Sequence, residues 1–278
     1  GPARSDTVRG EGECVKDVQS LADVRGIPIQ KVGVNDVHLP FLIKTKAGSF
    51  QSVLARIRLT VDLPQEYKGT HMSRFIEVLS DWSQKPVSNR EMEAMLRDIM
   101  GRLGAQRAHI EIRFKYFIEK KAPVSGLTSL LDYDCIFDGK LTQDGPLDFV
   151  LGVEAPFTSL CPCSREISDY GAHNQRGAMR VRIKYAPGRF IWIEDLVELM
   201  ERQGSSPVYP LLKREDEKYV TENAYDNPKF IEDVLRDLVL ALRSQDGAVW
   251  FEVECESFES IHNHSAYAYH AEDIGAAE

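Results

Sequence analysis

Apolar and polar residues alternate along parts of the first half of the chain, and this period of two is typical of a strand with one buried face. The clearest examples are residues 52–63 and 110–118, and residues 126–138 are expected to pair with the second of them as a hairpin. Between these strands, apolar residues recur at helical spacing, which predicts two amphipathic helices, the second capped by Ser88. Their apolar stripes consist of Met72, Phe75, Ile76 and Leu79 in the first and of Met92, Met95, Leu96, Ile99 and Leu103 in the second.

The second half of the chain shows the same order of elements. Strands are expected near 147–157, 179–185, 249–255 and 264–271, and helices over 193–200 and 231–242. The order of two strands, two helices and two strands therefore occurs twice along the chain. Runs of strands around a helix pair predict an α+β fold with antiparallel sheets, each with a helix pair on one face.

A cluster of turn-forming residues separates the two halves. It consists of Gly139, Thr142, Asp144, Gly145 and Pro146. We expect regular structure to begin near Val37, where apolar alternation starts. The sequence thus predicts a partly disordered leader over 1–36, a first module over 37–142 and a second module over 143–278.

Composition limits the function classes. Of the 278 residues, 43% are hydrophobic and 28% are charged, which fits a water-soluble globular protein. The net charge of -9 disfavours a general binder of nucleic acids or membranes, because such proteins usually present a basic surface. No apolar run approaches the roughly 20 residues of a membrane-spanning helix. The polar start also lacks the apolar stretch of a secretory signal, so we expect a cytoplasmic protein.

The five cysteines favour a reducing compartment, because they are odd in number and widely spread. Cys14, Cys135 and Cys255 are expected to be packing residues. Cys161 and Cys163 form a Cys-x-Cys pair, and a loop histidine, His173, follows. Sulfur and nitrogen donors suit zinc and related transition ions, so this segment is a candidate metal site, although a lone Cys-x-Cys is often only structural.

Three further segments contain residues that could bind a ligand or take part in catalysis. His262 and His264 lie two residues apart, so on an extended segment they point to the same side; the alternative is an exposed loop. The charge run 211–222 offers carboxylates, although spacing does not choose among them and such runs are usually solvated faces. Residues 68–74 place basic side chains at a helix start, which suits an anion site; the alternative is an ordinary helix N-terminus with surface charges.

Five motifs, taken together, resemble the type IB GTP cyclohydrolases. The similarity runs from about Asp17 to Tyr269. The motifs are Ser-Leu-Cys-Pro-Cys-Ser from Ser159, Gly-Ala-His-Asn-Gln from Gly171, Leu-Lys-Arg-Glu-Asp-Glu-Lys-Tyr-Val-Thr from Leu212, Glu-Ser-Ile-His-Asn-His from Glu259, and Lys-Gly-Thr-His-Met-Ser-Arg from Lys68.

The resemblance implies a tandem tunnelling fold, a homotetramer with active sites at subunit interfaces, and the conversion of GTP to dihydroneopterin triphosphate and formate. It assigns a divalent metal ion, with manganese, zinc and iron(II) all open, and no organic cofactor. The implied metal ligands are Cys161, His173, Glu217 and His262. Glu232 is the implied guanine anchor, with a surface acid beside Asp233 as the alternative.

The remaining roles follow from chemistry as much as from resemblance. Cys163 and His264 are expected near the metal, with His264 preferred for protonating the purine nitrogen as the ring opens. The candidates for the triphosphate are Lys68, His71, Ser73 and Arg74. Two alternatives stay open: a tunnelling-fold nitrile reductase of the queuosine pathway, with a nucleophilic cysteine and a nicotinamide, and a structural metal-binding assembly protein.

Overall fold

The computed structural model describes Gln19 and residues 21–275. Residues 1–18 of the predicted leader, and with them Cys14, lie outside the described residues. The strands are β1 (Ile29–Lys44), β2 (Phe50–Leu63), β3 (Pro86–Val87), β4 (Arg107–Lys121), β5 (Thr128–Thr142), β6 (Asp148–Leu160), β7 (Asn174–Tyr185), β8 (Ser206–Pro207), β9 (Ala248–Ser257) and β10 (Ala266–Asp273). The helices are α1 (Met72–Ser83), α2 (Asn89–Leu103), α3 (Pro162–Ile167), α4 (Ile193–Glu201), α5 (Arg214–Asp226) and α6 (Ile231–Arg243).

Over the described residues, the strands form one ten-stranded sheet rather than two separate sheets. Its order is β10-β9-β7-β6-β5-β4-β2-β1-β3, and β8 pairs with β6. The two halves of the chain join through antiparallel pairing of β5 with β6, from Asp134–Glu154 to Lys140–Asp148. The short β1–β3 pair is parallel.

One face of this sheet is apolar and carries the helices. Residues that are paired across antiparallel strands point to the same face, so a single buried row crosses six strands. The row consists of Ile57, Ile112, Phe137, Leu151, Ile183 and Phe251. Contacts join α1 to β1, α2 to β4 and β5, α4 to β6, and α6 to β9 and β10. No helix in the described part of the chain is long and apolar enough to cross a membrane.

Several boundaries differ from the sequence expectation. β5 continues to Thr142 and so includes Gly139 and Thr142 of the expected turn cluster, and β7 begins at Asn174 rather than near residue 179. β1 begins at Ile29, within the expected leader and before Val37. Its first residues are exposed, and a register shift around Asp36, which has a φ of 61°, interrupts the alternation. The last strand begins at Ala266, because residues 260–264 form bends.

A buried charge pair connects the two halves. Glu201, at the end of α4, is 5% exposed. It accepts a hydrogen bond of 2.6 Å from the Tyr133 hydroxyl on β5 and pairs with the Lys120 ammonium on β4. Burial, together with the Glu201 carboxylate, raises the pKa of Tyr133, so its hydroxyl stays a donor. The helix layer of the second half is therefore fixed to strands of the first.

Replacing Glu201 with alanine would leave the Lys120 ammonium buried without its partner, since its side chain is only 15% exposed. We expect Glu201→Ala to lower the free energy of unfolding by about 3–5 kcal/mol, measured by urea denaturation. The matched control is Glu198→Ala on the same helix, whose carboxylate is 63% exposed and pairs with Arg202. Glu198→Ala should lower the free energy of unfolding by less than about 0.5 kcal/mol. An equal decrease in the free energy of unfolding in the two variants would contradict a stabilising role for the buried pair.

Candidate active site

Strand register brings two chemistry-bearing loops to one end of the sheet. Leu160 pairs with Asn174, so residues 161–173 form the connection between β6 and β7 at that end. Gly177 pairs with Ser257, and Ser257 in turn pairs with Ala266. The connection 258–265 between β9 and β10 therefore lies beside the first loop.

The backbones of Cys161 and His173 are directly connected. The Cys161 amide donates to the His173 carbonyl at 3.1 Å. The Ser164 hydroxyl bridges the same two residues, because it donates to the Cys161 carbonyl at 3.3 Å and accepts from the His173 amide at 3.1 Å. The Ser164 amide also donates to the Cys161 sulfur at 3.4 Å. The loop thus folds back on itself and holds a thiol and an imidazole on one short segment.

Neighbouring side chains orient the His173 ring. Its Nδ1 lies 2.9 Å from Oε1 of Gln175 and 3.4 Å from the Ser260 hydroxyl. The Gln175 amide nitrogen, in turn, donates to Glu259 at 3.4 Å. A carbonyl oxygen only accepts, so this contact favours the tautomer with hydrogen on Nδ1 and a lone pair on Nε2. Nε2 is then the nitrogen that can bind a ligand.

Burial separates the described cysteines into two groups. Cys135 and Cys255 lie in the core, and burial raises the pKa of Cys135 and brings that of Cys255 to about 12. These thiols stay protonated and packed, as predicted. Cys161 is half-buried and Cys163 is exposed on α3, and all four are free. Among the described cysteines, the thiols available for chemistry are therefore those of the Cys-x-Cys pair.

The His262 and His264 rings are stacked on each other. Their centroids lie 5.3 Å apart, with 16° between the ring planes. Both residues are exposed on bends within the 258–265 loop. They point to the same side, as the spacing predicted, although the segment is not a strand.

The charge run forms helix α5, and the structure narrows the choice among its acids. Asp216 is fully buried, and Glu222 pairs with Lys218 at 3.5 Å. Burial opposes the charge on Asp216, but hydrogen bonds from Ser125 and from backbone amides hold its pKa well below the usual range. Glu217 and Glu215 remain exposed at the start of the helix. Sequence reasoning missed this helix because it has no apolar stripe.

Glu232 lies in the first turn of α6, at the same end of the sheet. The Lys229 amide donates to the Leu160 carbonyl at 3.1 Å, which holds the start of α6 against the end of β6. Asp233 accepts from the Phe230 amide at 3.1 Å and pairs with Arg236. Glu232 is exposed and makes no hydrogen bond or ion pair to any described residue. Of the two neighbouring acids, Glu232 is the one available to a ligand.

The predicted metal ligands border this end of the sheet without forming one cluster. In the part of one chain that the structure describes, no group of three or more His, Cys, Asp or Glu side chains lies close enough to hold a metal ion. Cys161 and His173 share a loop, His262 lies on the adjacent loop, and Glu217 begins α5.

The predicted anion motif lies elsewhere in the chain. His71 occupies the N-cap position of α1, and Lys68, Ser73 and Arg74 are exposed around it. Helix α1 packs on β1, and the sheet order places β2, β4 and β5 between β1 and β6. At about 4.8 Å per strand, this separates the motif from the Cys161 loop by roughly 19 Å along the sheet.

Solved structures with the same architecture support the fold. The chain is similar to the uricase from Arthrobacter globiformis, with a TM-score of 0.58 and 6% identity over 90% of this chain and 95% of that one. It is also similar to a uricase from Bacillus fastidious, with a TM-score of 0.52 and 8% identity over 89% and 94% of the two chains. At this identity the likeness shows the fold alone, which is the predicted α+β tunnelling fold.

Sequence comparison identifies the family. A family model described as type I GTP cyclohydrolase folE2 matches residues 15–268. GTP cyclohydrolase FolE2 from Geotalea uraniireducens is 56% identical over 91% of this chain and 92% of its own length. The same enzyme from Geobacter sulfurreducens is 55% identical over 91% of this chain and 96% of its own length. The resemblance predicted from the motifs is therefore confirmed, and the chain belongs to the type I GTP cyclohydrolase folE2 family.

Proposed function

We propose that the chain hydrolyses GTP to 7,8-dihydroneopterin triphosphate and formate, the first step of pterin and tetrahydrofolate biosynthesis. Family membership and relatives at 56% identity support this reaction. The observation that carries the proposal is the carboxylate of Glu232, which has no partner among the described residues and lies at the end of the sheet where the Cys161–His173 loop and the 258–265 loop meet. A purely structural metal site would give this carboxylate no role.

Glu232 binds the guanine base in this proposal. The guanine edge offers adjacent N–H donors, and a carboxylate has two oxygens that accept them together. Asp233 is unsuited to the task, because its carboxylate already caps the helix and pairs with Arg236. The contact at Leu160 holds Glu232 close to the Cys161 loop, so that the base is bound next to the reacting groups.

Cys161, His173, Glu217 and His262 would hold a divalent metal ion. Their sulfur, nitrogen and oxygen donors suit zinc, iron(II) or manganese, and the free Nε2 lone pair on His173 fits this use. When bound, the ion supplies a water molecule acidified enough to give hydroxide near neutral pH. No organic cofactor is needed.

Side chains next to these ligands would transfer protons. His264, stacked on His262, would donate a proton to the imidazole-ring nitrogen of the purine as the bond to C8 breaks. Imidazole suits this step because it changes charge near neutral pH. Cys163 lies exposed two residues after Cys161 and is the second candidate for proton transfer.

Lys68, His71, Ser73 and Arg74 would bind the triphosphate. Their separation from the Cys161 loop, roughly 19 Å along the sheet, supports an active site completed by a neighbouring subunit. We therefore propose a homotetramer of two-module chains, divided between residues 142 and 143, with active sites at the subunit interfaces. The proposed location is the cytoplasm, where GTP is available.

The role of Glu232 predicts a loss of base recognition on substitution. Glu232→Gln keeps the side-chain shape but removes the charge and one of two acceptor oxygens, so kcat/KM for GTP should fall roughly 10- to 100-fold. The ratio of kcat/KM for GTP to that for inosine triphosphate, which lacks the exocyclic amino group, should decrease as well. Asp233→Asn is the matched control, because the side-chain oxygen of asparagine can still accept from the Phe230 amide. Unchanged selectivity in Glu232→Gln would contradict the assignment.

The interface site predicts complementation between inactive variants. Arg74→Ala disables the phosphate element and Glu232→Ala the base element, so each homotetramer should be nearly inactive. Subunits mixed in equal amounts and reassembled should regain about one quarter of wild-type activity, since that share of interfaces unites both intact elements. Activity is read as pterin fluorescence after oxidation. Mixtures that stay inactive after verified subunit exchange would place both elements in one chain.

A further inference from the structure

A buried carboxylate connects α5 to the tip of the hairpin between β4 and β5. Asp216 accepts from the backbone amides of Val124 and Ser125 at 2.8 Å each, and from the Ser125 hydroxyl at 2.6 Å. It also accepts from the Lys213 amide at 2.9 Å, one turn earlier in the chain. Four donors fill the acceptor sites of the carboxylate, so its burial leaves no oxygen unsatisfied.

The hairpin tip is a well-defined partner. The Ala122 amide donates to the Leu127 carbonyl at 2.8 Å, and the Gly126 amide donates to the Ala122 carbonyl at 3.2 Å. Gly126 has a φ of +71°, a conformation that other residues adopt only with strain. This closed turn directs the amides of Val124 and Ser125 at Asp216.

Few side chains of helix α5 are buried, and its C-terminal end is held separately, by hydrogen bonds from the Asn223 and Asn227 side-chain amides to the backbone carbonyls of residues 204 and 205. Only Asp216 and Ala224 are buried among its residues. Near its other end, the Tyr225 ring lies under the Arg165 guanidinium of α3, at 4.5 Å from the ring centroid. The helix is thus held between a first-half hairpin and the short helix that follows Cys161. Since Ala224 is the only buried apolar residue, the hydrogen bonds of Asp216 are the main constraint on the first turn.

That first turn carries Glu217. Its amide donates to the Lys213 carbonyl at 2.9 Å, so Glu217 and Asp216 are anchored on the same residue. Their Cα atoms are about 3.8 Å apart along the chain. A shift of Asp216 therefore moves the Glu217 backbone by a similar distance.

We infer that Asp216 is a positioning residue of the metal site. Together with Ser125, it fixes the first turn of α5 and thereby the place of the Glu217 carboxylate. The inference rests on the proposed function, because it takes Glu217 as a metal ligand. It gives the first-half hairpin a part in a site whose proposed ligands all come from the second half.

Metal affinity tests this inference without relying on activity. The full chain is stripped with a chelator and titrated with cobalt(II) against a chromophoric competitor. In Asp216→Asn, the asparagine side chain has one oxygen that accepts hydrogen bonds. Its NH₂ group is itself a donor, so it cannot accept from the donors that now surround the second oxygen of Asp216. Affinity should fall roughly 10- to 100-fold, as for other residues that orient metal ligands. The sulfur-to-cobalt absorption band should persist, because Cys161 is untouched. Ser125→Ala should also weaken binding, and Ser125→Thr, which keeps the hydroxyl, should not.

Glu215→Gln is the matched control. It removes the same charge from the same turn, but Glu215 is exposed, so cobalt affinity should stay at the wild-type value.

Glu217→Gln separates the ligand role of Glu217 from the positioning role of Asp216. If it leaves cobalt affinity unchanged, the ligand assignment in the proposed function fails, and the inference with it. If it weakens binding while folded Asp216→Asn keeps wild-type affinity, the positioning role alone is overturned. Should Asp216→Asn not fold, wild-type affinity in Ser125→Ala would overturn it.

Discussion

The structure depends on the register of one antiparallel sheet with a single apolar face. In β-strands, a slip of one residue moves every side chain to the opposite face. The buried row from Ile57 to Phe251 crosses both halves of the chain, so a slip in any strand would expose part of it. The same register aligns the ends of β6, β7 and β9. The loops with Cys161, His173 and His262 are therefore neighbours because the core is correctly packed.

Buried acids then fix the helices of the second half to strands of the first. Glu201 contacts Tyr133 and Lys120, and Asp216 contacts the β4–β5 hairpin. A buried charge is costly unless its partners are complete, so each contact tolerates few alternative arrangements. Apolar packing on the sheet provides stability, while these polar contacts determine where α4 and α5 lie.

Much of the fold was predictable because its elements bury one face with a regular period. Strand β2 and helix α2 follow their patterns, and Ser88 caps α2 with a 2.9 Å bond from its amide to Glu91. Helix α5 was not predicted because it has no apolar stripe, and the polar contact that fixes its position joins residues distant in sequence. The sequence did contain one signal, an aspartate three residues after Lys213, which is typical of a helix start.

The sequence indicated the residue types of the candidate site but not their arrangement. The structure folds the Cys161–His173 loop back on itself, through the Cys161 amide bond to the His173 carbonyl. The resemblance already assigned Glu232 rather than Asp233, and the structure adds a physical reason, because its hydrogen bonds show that Asp233 caps the helix. Spacing along the chain also gave no sign that the anion motif near Arg74 lies far from these residues. That separation follows from the sheet order.

If this end of the sheet is a metal-dependent site for opening the guanine ring, activity must require both a metal ion and Cys161. To test this requirement, GTP is given to chelator-stripped protein, manganese, zinc or iron(II) is restored separately, and pterin fluorescence is followed after oxidation. We expect product only when a metal is restored, and none from Cys161→Ala with any of the three. Full activity of metal-free protein, or of Cys161→Ala, would contradict this requirement.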